Sequence, residues 1–262
     1  MSVPIMSQPA MLQRRLIGVL GGMGPLATVD FMQKVIQATA AKRDQDHVPM
    51  IVYCVPQIPD RVGAVLAGTD EPFVALSQGI RVLENSGVEL IVIPCNTAHA
   101  WFDRLAASTI VPMLHIADAV QQCADAKPSH VASETIALMA TTGTLHAGFF
   151  QHILATPQRR IIVPTPKIQA QIGRAIQAVK TGDLTGARDF AEHAAQALLA
   201  TGADRLLLAC TELPLAFKGS TLRARCLDAT VCLAEATVAF SLAISPKSDV
   251  TQTLLTQHGC VT

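Results

Sequence analysis

Short apolar-rich runs punctuate the chain at 16–20, 50–55, 90–93, 135–140, 160–163 and 205–209. They show no strict apolar–polar alternation, which is the pattern of strands buried on both faces. Between most of them lie longer segments, 28–41, 72–86, 167–181 and 187–201, whose apolar residues recur at mixed spacings of three and four. That spacing predicts amphipathic helices. Strand–helix alternation of this kind predicts an α/β fold built on parallel sheets, with ligands near the carboxyl ends of the strands.

The pattern also repeats. IGVLGGMGPLATVDF, from Ile17, overlays IALMATTGTLHAGFF, from Ile136, with Ile, Gly, Leu and Phe in common at four positions. SGVELIVIPC, ending at Cys95, overlays TGADRLLLAC, ending at Cys210, and the two offsets are 119 and 115 residues. The expectation is two pseudo-symmetric Rossmann-like lobes, each a mostly parallel sheet flanked by helices, with the active site in the cleft between them. Lobe 1 is expected to span 14–115 plus 225–245, and lobe 2 116–224. Residues 1–13 and 246–262 read as loose tails: the first carries no charge and two prolines, the second is polar without clear periodicity.

Composition narrows the function. A chain of 262 residues that is 50% hydrophobic can bury two modest lobes. Lys plus Arg and Asp plus Glu balance at 20 each, so no net field favours nucleic acid or an anionic membrane. The apolar run after Arg14-Arg15 is too short for a signal peptide, and no window approaches the roughly 18 apolar residues of a membrane span. Seven cysteines, an odd number without a C-x-x-C pair, read as reduced cytoplasmic thiols.

Five of them, Cys54, Cys123, Cys226, Cys232 and Cys260, read as small core hydrophobes. Cys95 and Cys210 differ, because each closes an apolar run at a matched place in the repeat and is followed by capping-type residues, Asn96-Thr97 and Thr211-Glu212. Two thiols facing each other across a cleft suit inversion of a carbon stereocentre, in which a base on one face removes a proton and an acid on the other returns one. A thiol, with an ordinary pKa of about 8.5, can serve in either state. A helix start after each cysteine is expected to lower its pKa.

Other readings remain open on the residues alone. GGMGPLA contains G-x-G-x-x-A after a strand, but the acidic residue of a dinucleotide site is not in place. Cys226 and Cys232 lack neighbouring histidines for zinc. A Cys-His hydrolase using Cys95 and His99 would leave Cys210 without a role. A two-lobed amino-acid sensor would bind without turnover.

Four stretches, IGVLGGMGPLAT at 17–28, PQIPDR at 56–61, PCNTAH at 94–99 and CTELPL at 210–215, resemble the aspartate/glutamate racemase family, and its aspartate racemase branch in particular. The resemblance implies two α/β lobes, no pyridoxal phosphate or metal, a homodimer, and racemisation by Cys95 and Cys210. It places Asn96, Thr97 and Thr211 at the substrate α-carboxylate. Met23, Gly24, Thr142, Gly143 and Thr144 would line the cleft from the two turns, and Glu212 would sit beside the second thiol. Arg61 and Lys180, with Gln57 nearby, would stand at the mouth, where the two cations could meet a distal carboxylate. Aspartate is the first expectation. Glutamate, a broader amino-acid range, or a related diacid isomerisation or decarboxylation are the alternatives. Cys54-Val55, Leu227-Asp228-Ala229-Thr230 and Ala209 depart from the residues usual in the branch.

Overall fold

The computed structural model describes residues 14–126 and 133–243. The expected tails, 1–13 and 246–262, lie outside the described residues, as does Cys260. The first half runs β1 (Ile17–Gly21), α1 (Pro25–Ala38), β2 (Met50–Cys54), α2 (Arg61–Ala67), α3 (Glu71–Asn85), β3 (Leu90–Val92), α4 (Phe102–Ala106) and α5 (Ile116–Ala126). The second opens with β4 (Glu134–Ala140), α6 (Thr142–Ala147), α7 (Phe149–Leu154), β5 (Arg159–Ile162), α8 (Pro166–Lys180) and α9 (Leu184–Ala200). It closes with β6 (Arg205–Ala209), α10 (Leu213–Ala216), β7 (Cys226–Asp228) and α11 (Ala229–Leu242).

The strands form two parallel sheets flanked by helices, in the orders β2-β1-β3 and β5-β4-β6-β7. A single parallel bridge from Ile91 to Met113 extends the first sheet where β7 extends the second. The duplication seen in the sequence is therefore a duplication of topology: β4 answers β1, β5 answers β2 and β6 answers β3. β7 lies in the segment 225–245 expected with the first lobe, yet its register, Leu206↔Cys226 to Leu208↔Asp228, puts it in the second sheet. α11, which follows it, packs on α1 and α5.

Burial on both faces explains why the strands read as continuous apolar runs. In β4, Ile136, Leu138 and Ala140 enter a central cluster that also holds Ile17 and Val19 of β1, while Ala137 and Met139 face the core under α8 and α9. β3 sends Leu90 and Val92 to the centre and Ile91 outward, and Ile93 and Cys95 just beyond it join the outer cluster; β6 sends Leu207 and Ala209 to the centre and Leu206 and Leu208 outward, and Cys210 just beyond it joins them. Both cysteines thus continue the outward alternation of their strands. A one-residue slip in either strand would exchange the faces and turn the thiol away. Each full burial of such an aliphatic side chain is worth about 1.5–3 kcal/mol, so several together hold the register.

Asp228 ties the halves together. Its carboxylate meets Lys34 of α1 at 2.9 Å and Arg223 at 2.5 Å, and caps α11 by accepting from the backbone N–H groups of Thr230 and Val231. Burial alone would raise its pKa, but the two cations outweigh that and hold it below the usual carboxylate range. Among the described residues no helix is long and apolar enough to cross a membrane.

Candidate active site

The loops after β1, β3, β4 and β6 converge at the carboxyl ends of the two sheets. After β1 the chain turns at Gly22, whose φ of +98° suits glycine and where a Cβ would fall 2.4 Å from the Val55 backbone. Thr28 pins this turn by accepting from the Gly22 N–H at 2.8 Å and donating to the Gly24 carbonyl at 3.0 Å. Met23 is thereby set into the wall of a pocket of about 320 Å³, mouth included. Gly24 comes so close to the other half that a Cβ there would stand 3.5 Å from Glu212 Oε1.

Met23, Arg61, Cys95, Asn96 and Thr97 bring the first half to this pocket, and Thr141, Lys180, Cys210, Thr211 and Glu212 bring the second. Asp60 and Val62 complete it. Both cysteines are buried, and each sulfur receives a backbone N–H from the turn that follows it: that of Ala98 for Cys95 and that of Glu212 for Cys210. These amides do favour the thiolate. Burial outweighs them, so both thiols lie above the ordinary pKa, which corrects the expectation that helix starts would lower them.

The two thiols have different neighbours. The Arg61 guanidinium stands beside Cys95 and pulls its pKa back down against burial. At Cys210 the Glu212 carboxylate adds to the effect of burial: the thiol donates to Glu212 Oε2 at 3.0 Å and is pushed well above its usual range, with only a weaker pull from Lys180.

Asn96 is 2% exposed, and neither its Oδ1 nor its Nδ2 has a hydrogen-bond partner, although it heads a 3-10 turn (Thr97–Trp101) that it could have capped. A buried amide with both ends unpaired is costly unless a ligand supplies the partners. The hydroxyls of Thr97, Thr141 and Thr144 instead bond to one another at 2.9–3.0 Å across the halves, and Thr211 donates to Glu212 at 3.3 Å.

Four expected contacts fall elsewhere. Gln57 is exposed and not part of the pocket wall. Thr144 is buried inside the threonine cluster, and Gly143 packs where a Cβ would come within 3.1 Å of both Thr97 and Val62. Thr142 lines only an adjoining groove. Thr141 lines the pocket from the second turn, while Asp60 and Val62 are wall residues that the sequence does not single out. Asp60 caps α2 through the Val62 and Gly63 N–H groups, and so fixes Arg61 at the first turn.

The sequence profile of the Asp/Glu/hydantoin racemases matches residues 20–237. The chain belongs to that family. This racemase, an isomerase acting on amino acids, is 30% identical over 234 residues to the broad specificity amino-acid racemase RacX of Bacillus subtilis, covering 87% of this chain and 99% of RacX. It superposes on the Picrophilus torridus aspartate racemase with a TM-score of 0.76 and 30% identity, over 87% of this chain and 94% of that one. The Campylobacter jejuni glutamate racemase, at 22% identity, 86% and 84% coverage and a TM-score of 0.58, shares the fold.

His99 of the racemase is not a partner for Cys95. Its Nε2 bonds the Ile93 carbonyl at 3.1 Å and its Nδ1 faces the Ile116 N–H at 3.4 Å, so the buried ring is neutral and ties the turn to β3 and α5. A Cys-His hydrolase would need that ring at the sulfur. Cys54, read as a core residue, is exposed because β2 is the edge strand of its sheet.

Proposed function

We propose that the racemase works without a cofactor by a two-base mechanism in which Cys95 and Cys210 act on opposite faces of the substrate carbon, with aspartate as the first substrate. The observation that supports this is the pair itself: two buried thiols from equivalent strand ends line one pocket, one beside a cation and the other bonded to a carboxylate. Arg61 favours a thiolate at Cys95, while Glu212 keeps the proton on Cys210. In that state Cys95 removes the α-proton from one enantiomer and Cys210 donates its proton to the other face. One proton has then crossed from sulfur to sulfur through the substrate, and the charges are exchanged. That exchanged state, Cys95 a thiol and Cys210 a thiolate, is the one that runs the reverse direction; the free enzyme also reaches it when Cys210 gives its proton to Glu212 and Cys95 takes one from solvent.

Asn96 offers its amide donors to the α-carboxylate, and Arg61 and Lys180 supply cations for a distal carboxylate. The test is incubation of the reduced protein with L-aspartate in deuterated water without added cofactor. Loss of the α-proton together with D-aspartate formation is expected. Cys95→Ser and Cys210→Ser should each reduce racemisation by at least about 10²-fold, with slow one-sided exchange surviving. A serine variant that racemises at the wild-type rate would remove the two-base mechanism.

A further inference from the structure

The catalytic pocket opens sideways. Asp60, Val62, Thr141 and Lys180 form part of its wall and also part of the wall of a larger groove of about 1100 Å³, mouth included, that runs along α8. Gln169, Gly173, Ile176 and Lys180, spaced by three and four, present one face of that helix to the groove. Beyond the shared neck, every wall residue is uncharged. The face is also left hollow. Gly173 has no side chain, and a Cβ placed there would meet nothing within 4 Å. Gln169 is held in place by its Nε2, which donates to the Ala140 carbonyl at 2.9 Å, while its buried Oε1 has no partner.

We propose that this groove is the side-chain subsite of the racemase and admits amino acids whose uncharged side chains are longer than that of aspartate, methionine and glutamine among them. The inference rests on the two-thiol reading. With the α-carboxylate at Asn96 and the α-carbon between the thiols, a side chain that leaves the pocket passes the neck between Asp60 and Lys180. A short diacid ends there, against Lys180. A longer chain continues along the hollow face at Gly173, where Ala170 and Ile176 offer apolar contact. A terminal amide can donate to Gln169 Oε1. A site built only for a four-carbon diacid would have a packed wall behind its cation; here the wall behind Lys180 is neutral and open.

The test is α-proton exchange in deuterated water with alanine, aspartate, methionine and glutamine, on the wild type and on Gly173→Phe. The wild type should exchange all four. Filling the hollow should lower the ratio of kcat/KM for methionine to that for alanine by about tenfold or more, the scale on which an apolar pocket discriminates. Ala170→Phe, on the same face, gives a second measurement if Gly173→Phe folds poorly, and Gly173→Ala should move the ratio little. Wild-type exchange of aspartate without methionine or glutamine overturns the subsite and leaves the racemase reading standing. So does an equal loss for alanine and methionine in both phenylalanine variants. If no amino acid exchanges at all, the two-thiol reading fails and the subsite fails with it.

Discussion

The Cys95 and Cys210 loops end equivalent strands, bury their sulfurs alike and aim a backbone N–H at each, yet the charge that acts most strongly on each is opposite: Arg61 at Cys95, which Glu212 also reaches more weakly, and Glu212 at Cys210. Two residues after Cys95 stands Thr97, whose hydroxyl is committed to Thr141 and Thr144; two residues after Cys210 stands Glu212, which accepts the thiol proton. The first loop receives its charge from outside, from Arg61 at the start of α2. A repeated scaffold thus supplies a symmetric placement of thiols, and substitutions around it supply the asymmetry of charge. The proposed two-base mechanism needs both, because in it a proton crosses only between one thiolate and one thiol.

The largest effect on this contrast is expected from Glu212→Gln. It keeps the size and removes both the anion and the proton acceptor, so racemisation should fall by about 10²-fold. The Cys210 pKa should move the other way, down toward the ordinary thiol value, because a cause of its elevation is gone. Alkylation of Cys210 by iodoacetamide at neutral pH should therefore speed up in the variant while turnover slows. If turnover rises along with alkylation, Glu212 merely suppresses the thiolate and is no proton acceptor.

Arg61→Met probes the other side with a smaller effect. Loss of the cation raises the Cys95 pKa beyond what burial already imposes, so less thiolate forms at neutral pH. A nearby charge commonly moves a pKa by 1–3 units, which sets the loss at pH 7 at about tenfold or more. The sign is specific: the acidic limb of the kcat/KM profile should shift to higher pH, and activity should recover in alkaline buffer. Loss without such a shift would assign Arg61 to the substrate alone.

Much of this contrast was legible in the chain. The run 205–209 predicts β6, the repeat pairs the two cysteines, and CTE puts an acid beside the second thiol. Other features left no readable signal. α11, ATVCLAEATVAFSL, is buried against α1 on one side and α5 on another, so it is apolar all round and shows no helical stripe. β7 has three residues and α2 seven, too short for periodicity, and so Asp60 and Val62 were not anticipated. Gln57 shares a motif with Arg61 but faces solvent. The raised thiol pKa values are not legible either, because amides at a turn can be read from sequence, whereas the depth of burial that outweighs them cannot.

The smallest effect on catalysis, and the clearest on stability, concerns the residue four places after each cysteine. At that place the second loop has Pro214 in the first turn of α10, which sets its backbone without a side-chain bond. The first loop has His99, which must stay neutral: burial, with His115 adding to it, pushes its pKa down to about 3. Between that value and the unfolded 6.5, the unfolded chain binds a proton that the folded chain does not. The stability this neutral ring contributes is therefore whole above pH 6.5 and is lost as the pH falls toward 3. From this one group the slope is at most about 1.4 kcal/mol per pH unit. His99→Gln should unfold at lower denaturant than wild type at pH 7.5, and the gap should narrow as both are acidified to pH 5, while racemisation near neutrality stays largely intact. A gap that does not change with pH would mean that the ring contributes only packing. A collapse of turnover in a folded His99→Gln would mean that the two loops differ in chemistry at this position as well as in anchoring.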